Sequence, residues 1–513
     1  MSNRLFNQIA LQRAKRNVFD LSHERKFSMN IGDLVPCFVE EVVPGDTWKM
    51  NAELFMRTAP LVAPIMHRVN VFTHFFFVPH RLVWDNWQDF ITGGEDGTAA
   101  PVFPYVTIRE SNQHLMDEGT LADYLGINTV GQYDATGIEV SALPFRAYQT
   151  IYNEYYRDQN LESPIDFLTG DGLSDPTDIS VMRKRAWQKD YYTAALPWTQ
   201  RGGEATIPLG SVEPNYKNIS ETVISSDGGP QDGSINGVSG DLTSTLGSEP
   251  MRIENLNDMD VEPTTINELR KAIKLQEWLE KSARGGSRYI EQIFSHFGVK
   301  SSDSRLQRPE YLGGGSSPIS ISEVLQTSAT NSNSGAVDAS VQGNMAGHGI
   351  SVGRSNSFKR FFEEHGTIIG IISVMPKSAY QQGLRKQFFK FDKFDYFWPS
   401  FAHLGEQPIA NKEIYNDGSA TAEETFGYVP RYSEYKYIPN TVHGSFKSSE
   451  IHWHMGRKFA APPVLNNNFL KVSDELAQER IFADTSEINK LYVQMYNKVR
   501  AIRPMPKFGT PTI

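Results

Sequence analysis

The sequence predicts a mainly β protein, one large β-domain interrupted by long insertions. Aromatic residues make up 12% of the chain and stand beside 40 Gly and 28 Pro, a composition that favours short strands and many turns over helical packing. The stretch from His67 to Pro79, HRVNVFTHFFFVP, is rich in β-branched and aromatic residues. At 513 residues the chain exceeds a single ordinary core, yet no Pro/Ser-rich linker divides it.

Taken in order, residues 1–30 read as a basic, flexible arm, in which Arg4, Arg13, Lys15, Arg16, Arg25 and Lys26 outnumber Asp20 and Glu24. Residues 31–43 form a strand around VPCFVEEVV, closed by the turn Pro44-Gly45-Asp46. Pro36 inside it demands an edge position or a bulge, because proline cannot donate to a ladder. Residues 47–55 and 61–78 continue the β pattern. Phe75–Val78 is apolar on both faces, so this strand is expected to be buried on both sides, and Pro79 ends it. Leu82, Val83, Trp87, Phe90 and Ile91 then recur at three- and four-residue spacing, which predicts a short helix running to Gly93-Gly94.

Residues 95–134 read as loop. A helix over 141–156 follows, with Ser141 as N-cap, Pro144 in its first turn and Phe145, Tyr148, Ile151, Tyr152, Tyr155 and Tyr156 on one face. Such a tyrosine stripe can stack bases, but the reading adopted is core or subunit interface. Residues 183–202 set Arg183, Lys184, Arg185 and Lys189 beside Trp187, Tyr191, Tyr192 and Trp198, a local hint of nucleic acid.

Residues 205–263 break the composition. They hold two basic side chains, Lys217 and Arg252, one aromatic, Tyr216, and ten acids, too little apolar material for a core of their own. They read as an exposed insertion. Thr265 and Glu268 make a capping box that opens a helix ending at Gly285-Gly286, and a second helix covers 289–298. Residues 319–325 alternate as a half-buried strand, 331–353 read as a low-complexity loop, and 367–374 and 387–398 read as strands. Residues 406–469 read as ordered excursions across a surface. After Glu487 no acid remains, while Lys490, Lys498, Arg500, Arg503 and Lys507 lead into a Pro-rich tail.

Composition also excludes. The formal net charge of -10 argues against a protein that coats nucleic acid over its whole surface, so contact with a polyanion must be local or delegated to a basic partner. The single cysteine, Cys37, rules out an intrachain disulfide and a cysteine zinc cluster. No N-terminal signal and no apolar run long enough to cross a bilayer appear, so no membrane insertion is expected. Gly349-Ile350-Ser351-Val352-Gly353 fits the nucleophile-elbow pattern but lacks a preceding parallel strand. His452 and His454 lack a third ligand for a metal. Glu40-Glu41 and Glu363-Glu364 read as solvated faces, and no phosphate-cradling Gly-Lys motif is present. The chain is therefore read as no enzyme, with no cofactor and no metal.

Six motifs carry a resemblance: Arg16-Asn17-Val18-Phe19-Asp20-Leu21-Ser22, Phe77-Val78-Pro79-His80-Arg81-Leu82-Val83-Trp84, Leu143-Pro144-Phe145-Arg146-Ala147-Tyr148, Ala195-Leu196-Pro197, Leu306-Gln307-Arg308-Pro309-Glu310-Tyr311-Leu312-Gly313-Gly314 and Phe401-Ala402-His403-Leu404-Gly405-Glu406-Gln407-Pro408-Ile409. In this order they resemble the major capsid proteins of the Microviridae, small single-stranded-DNA bacteriophages, and their gokushovirus branch most. The resemblance runs to about Arg503, and only residues 205–263 depart freely.

The resemblance implies an eight-stranded antiparallel viral jelly-roll barrel with long loop and helical insertions, found in the virion and, during assembly, in the bacterial cytoplasm. It implies self-association into the smallest icosahedral shell (T=1) through threefold and fivefold contacts. The enclosed circular single-stranded DNA would be condensed by a small basic DNA-binding protein, with a scaffolding protein acting in assembly and a bacterial surface receptor as target.

On this reading Arg4, Arg13, Lys15, Arg16, Arg25, Lys26, Arg500, Arg503 and Lys507 contact DNA. Residues 205–263 form a threefold protrusion whose host-recognition candidates are Tyr216, Asp227, Asp232, Asn236 and Asp241. The domain plan is 1–30 arm, 31–204 strands with helical insertions, 205–263 acidic insertion, 264–486 remaining strands and loops, and 487–513 tail. The competing reading is a trimeric, lectin-like carbohydrate-binding β-sandwich, which would stay near trimer mass.

Overall fold

The computed structural model describes residues 15–95, 98–127, 134, 136–200, 202, 266–285, 307–327, 342–472, 480–483 and 489–508. The chain divides into two compact units, Met1–Thr199 with Ser287–Ile513, and Gln200–Gly286. In the second, the helix Ile266–Gly285 carries Glu268 in its first turn and Arg284 in its last, each suited to the helix dipole. Its partner in the expected capping box, Thr265, and the expected helix over 289–298 lie outside the described residues.

The first unit is built on fourteen strands among the described residues: β1 Asn17–Asp20, β2 His23–Met29, β3 Val35–Val42, β4 Thr47–Thr58, β5 Val69–Pro79, β6 Tyr105–Ile108, β7 Ile138–Ser141, β8 Glu310–Pro318, β9 Ser320–Leu325, β10 Met345–Phe361, β11 Gly366–Pro376, β12 Glu406–Ala410, β13 Thr425–Pro430 and β14 Leu491–Arg503. Two antiparallel sheets dominate. One runs β3-β11-β5-β8; the other runs β1-β14-β4-β10-β9, with β2 also on β14. The chain passes back and forth between the two sheets, as in the jelly-roll sandwich that the resemblance implies. Among the described residues the two sheets together hold ten strands, β1 and β9 lying at the edges beside the other eight. β1 and β2 lie end to end along the same edge of β14, and β9 adds a hairpin edge to β10.

The core lies between the sheets. β4 and β14 alternate buried and exposed residues along their lengths, so Trp48, Met50, Leu54, Met56, Val493, Met495 and Val499 point inward against Phe38, Phe75, Phe77, Ile368 and Ile372 of the other sheet. Cys37 is buried there, and desolvation raises its thiol pKa to about 12, which keeps it protonated. Every residue of β11 is buried, and β5 becomes buried on both faces from Phe75 onward, as its apolar run predicts. The outer face of this four-stranded sheet, through Phe76, Val78, Ile369 and Ile371, is covered by Leu143, Phe145, Tyr148, Ile151 and Tyr152.

Several sequence expectations hold in detail. β3 is the edge strand that Pro36 requires, and its ladder slips between Gly370 and Ile371, opposite Phe38 and Pro36. The helix Leu143–Ile151 has Pro144 in its first turn and continues as a π turn over Tyr152–Tyr156, but its N-cap is Ala142 rather than Ser141, which ends β7 and accepts from the Leu143 N–H at 3.3 Å. Others are corrected. The helix expected after Pro79 is split into a 3₁₀ turn His80–Leu82 and a helix Trp87–Thr92. Between them Trp84 is fully buried, and its indole N–H donates to Asp171 at 2.6 Å. The loop expected over 331–353 is strand from Met345 on, because the small residues of β10 lie close against their neighbours: a Cβ on Gly349 would stand 2.6 Å from Thr58.

The strand expected over 387–398 is instead a run of 3₁₀ turns, Lys386–Phe388 and Lys393–Asp395, with Phe391, Phe394, Tyr396, Phe397 and Trp398 exposed. The two basic ends also differ from free segments. From Asn17 the arm is β1 and β2, and β14 takes up most of the described C-terminal segment. None of the helices among the described residues is long and apolar enough to cross a membrane.

Candidate nucleic-acid interface

The four-stranded sheet is covered on both sides, whereas the six-stranded sheet turns a row of alternating residues outward. On β14 these are Tyr492, Gln494, Tyr496, Lys498 and Arg500; on β4 they are Lys49, Glu53, Phe55 and Arg57, with Asn51 half-buried. Register fixes their neighbours. Lys359 of β10 stands opposite Lys49 of β4, and Lys49 stands opposite Arg500 of β14. Three cations thus lie abreast on adjacent strands, spaced by about 4.8 Å per strand.

One pair along, Lys498 faces Asn51 and Asn51 faces Ser357. Toward the other end Phe55 lies opposite Gln494, Tyr496 opposite Glu53 and Tyr492 opposite Arg57. Lys26 and Glu24 of β2 extend the face beside Gln494 and Tyr496.

The charge of this face is lopsided: Lys26, Lys49, Arg57, Lys359, Lys498 and Arg500 are six cations against the carboxylates of Asp20, Glu24 and Glu53. Glu24 lies 3.6 Å from Lys26 Nζ and accepts from Gln494 Nε2 at 3.4 Å. Asp20 accepts from the Ser22 hydroxyl and N–H, which hold its pKa below the ordinary carboxylate value, with Lys498 and Arg500 adding to the effect. Among the described residues Lys49, Lys359 and Lys498 form no ion pair.

The sequence-predicted DNA candidates fall into three groups. Lys15, Arg16, Lys26, Arg500 and Lys507 are exposed, with Arg16 over the Phe361 ring at 5.5 Å. Arg25 and Arg503 are built into the fold. Arg25 donates to the Tyr124 carbonyl at 2.7 Å, and desolvation lowers its pKa. Arg503 lies 3.0 Å from Asp46, donates to the Glu41 carbonyl at 2.8 Å and stacks over Trp48 at 5.2 Å. Arg4 and Arg13 lie outside the described residues, as do Tyr216, Asp227, Asp232, Asn236 and Asp241. Lys49, Lys359 and Lys498 escaped the sequence-based candidates. The alternation of β4 marks Lys49 as outward, but only the strand register brings it beside Lys359 and Arg500.

The remaining sequence signals resolve into structure. Of the cluster at 183–202, Arg183 donates to Gln149 Oε1 at 2.9 Å, Lys184 pairs with Asp33 at 3.4 Å, and Arg185 donates to Ser373 Oγ at 2.7 Å while lying 4.3 Å over Phe72. Tyr148 and Tyr152 of the tyrosine stripe are core, with Tyr148 donating to the Leu34 carbonyl at 2.8 Å. Ser351 is buried mid-strand and bonded to Ser317 Oγ and the Pro318 carbonyl. His454 bonds the Phe446 carbonyl at 2.8 Å through Nε2 and accepts from the Gly456 N–H through Nδ1. The described residues hold no cluster of three or more His, Cys, Asp or Glu arranged for a metal.

A second surface is apolar. Phe388, Phe391, Tyr396, Phe397 and Trp398 are at least half exposed, Phe391 at 90%, and Tyr435, Tyr437 and Ile438 are similarly open. Lys390 is held near these rings, over Tyr435 at 3.8 Å, by a 2.6 Å pair with Glu434. Exposed apolar groups in this number mark a surface that is covered by association.

Residues 7–513 match the family model described as capsid protein (F protein). The chain is similar to capsid protein VP1 of Chlamydia phage 1, 35% identical over 601 aligned positions covering 100% of this chain and 98% of that protein. It is similar to capsid protein VP1 of Bdellovibrio phage phiMH2K, 36% identical over 535 positions covering 99% and 97%. It is also similar to capsid protein VP1 of Spiroplasma virus 4, 31% identical over 535 positions covering 97% and 95%.

Proposed function

Because the chain belongs to the capsid protein (F protein) family, as a major capsid protein of small single-stranded-DNA phages, we propose that its copies close into the smallest icosahedral shell (T=1) around a circular single-stranded genome. It is a structural protein and not an enzyme. The observation that carries association is the aromatic surface around Phe388–Trp398 and Tyr435–Ile438, which a free subunit would leave in water and which neighbouring copies bury.

The bare sheet face is the genome side, with Lys15, Arg16, Lys26, Arg500 and Lys507 turned to phosphates, and with Arg4 and Arg13 preceding them in the chain. Arg25 and Arg503 act in the fold instead. The net charge of -10 leaves bulk neutralisation of the genome to a separate small basic protein, and a scaffolding protein assists closure. Residues 205–263 form the protrusion that meets the bacterial surface, with Tyr216, Asp227, Asp232, Asn236 and Asp241 as contacts.

Electron microscopy of the purified protein, with mass by light scattering, tests this. Uniform small isometric particles, formed alone or on co-expression with scaffold, are expected. Discrete trimers under both conditions would overturn it in favour of the lectin-like reading. Deleting residues 205–263 should spare the particles and abolish attachment to host cells; loss of soluble protein would instead assign the segment to subunit cohesion.

A further inference from the structure

Resting on the reading of the sheet face as the genome side, we propose that this face selects single strands. Phosphates lie along Lys49, Lys359, Lys498 and Arg500, and unpaired bases stack on Phe55, Tyr492 and Tyr496.

Two features at opposite ends of one surface carry the inference. The first is the row Lys359, Lys49 and Arg500. Like charges directly opposite one another weaken an antiparallel pair. Asp20 stands opposite Arg500 at one end of the row, but Lys49 has a cation opposite it on both sides and no carboxylate opposite it, a standing electrostatic cost in the free protein. A chain of phosphates laid across the strands removes that cost and releases its counterions. The second feature is the ring cluster. Phe55 sits on β4 facing Gln494, and Tyr492 and Tyr496 flank Gln494 on the same side of β14, so three rings surround one position. All three are exposed by more than a third, in a sheet whose opposite face is core.

Exposed rings beside cations are what unpaired bases need, since every base has a π-face and stacking tolerates any sequence. A duplex buries those faces and offers the sheet only its backbone. Glu53, between the two ends and opposite Tyr496, repels phosphate but accepts from exocyclic base amines.

The test is fluorescence anisotropy of the purified full-length protein with a labelled oligothymidylate of about 20 nucleotides and with a duplex of equal length, across a salt series. The single strand is expected to bind more tightly. Tyr492→Ala with Tyr496→Ala should weaken single-strand binding on the order of tenfold or more while leaving duplex binding unchanged, and Tyr496→Phe, which keeps the ring, should restore it. Lys49→Glu with Lys359→Glu should weaken both probes and make the logarithmic salt dependence of single-strand binding shallower by roughly 0.7 for each phosphate no longer neutralised.

Equal binding of both probes, insensitive to the rings but sensitive to the lysines, would overturn the stacking inference and leave the genome-side reading standing. Absence of binding to either probe, together with normal DNA content in particles of the lysine variant, would overturn both. Melting temperatures of each variant separate these outcomes from misfolding.

Discussion

Lys49 and Lys359 stand directly opposite each other on neighbouring antiparallel strands, both exposed, with Arg500 opposite Lys49 on its other side. Placing two like charges in one cross-strand pair is unfavourable, whereas an opposite pair contributes about 0.2–1 kcal/mol. Lys359→Glu should therefore raise the melting temperature of the purified protein by about a degree or two and lower the DNA content of assembled particles. A variant both more stable and equally filled would show that the row has no polyanion to meet.

How far the sequence reaches is visible along these strands. Val35–Val42 and Val69–Pro79 are legible because their apolar runs and their prolines act locally, Pro36 forcing an edge and Pro79 an end. β10 is not, because its Gly, Ser and Asn residues are chosen by close neighbours on β4, β8 and β9 and carry little strand propensity of their own. Phe389–Trp398 misleads in the opposite direction, since its alternation of rings and charges mimics a half-buried strand while many of its rings are exposed. The candidate interface lies beyond any local signal. Lys49, Lys359 and Arg500 are each more than a hundred positions apart, and pairing register alone makes them neighbours.

Arg25 lies in the basic N-terminal segment, yet it belongs to the inward side of β2, opposite Met495, and donates to the Tyr124 carbonyl at 2.7 Å. Replacing it by Met strands that carbonyl and removes a charged hydrogen bond, a loss of about 1–3 kcal/mol. Urea unfolding should register that loss, while oligothymidylate binding stays at the native level. Arg500→Gln should do the reverse. If Arg25→Met weakened binding without moving the unfolding midpoint, Arg25 would have to reach the outer face.

Gly314, in the motif Leu312-Gly313-Gly314-Gly315, pairs with His74 of β5, and a Cβ there would stand 2.2 Å from the Thr73 carbonyl oxygen and 2.8 Å from the Tyr311 hydroxyl. The obstructing carbonyl is backbone in an interior strand, so it cannot yield cheaply. Gly314→Ala should cost about 1–3 kcal/mol, read as a lower denaturation midpoint with the transition slope retained. Gly343, whose Cβ would meet nothing within 4 Å, has φ of +85°, so Ala there tests backbone strain alone and should cost about 1 kcal/mol. Equal losses at both positions would mean that crowding is not what Gly314 relieves.

His74 and His80 stand on either side of the Phe75–Pro79 segment, and each has its pKa lowered from 6.5 to about 4. Burial is the main cause for both, with Arg185 adding to it at His74 and His365 at His80. His74 Nδ1 bonds the Tyr156 hydroxyl at 2.8 Å, and His80 Nε2 bonds Thr367 Oγ1 at 3.2 Å, so both rings serve as neutral partners. Below pH 6.5 the unfolded chain takes up protons that the folded imidazoles refuse. The stability tied to these rings is thus fully present above pH 6.5 and is lost as pH falls toward 4, at no more than about 1.4 kcal/mol per pH unit for each ring. Melting temperatures should be level near pH 7 and fall between 6.5 and 4.5, and His80→Gln should make the fall shallower. An unchanged slope in the double variant His74→Gln, His80→Gln would assign the acid sensitivity elsewhere. Because β5 is an interior strand of the four-stranded sheet, buried on both faces over this segment, charging either ring disturbs the whole sandwich rather than one loop.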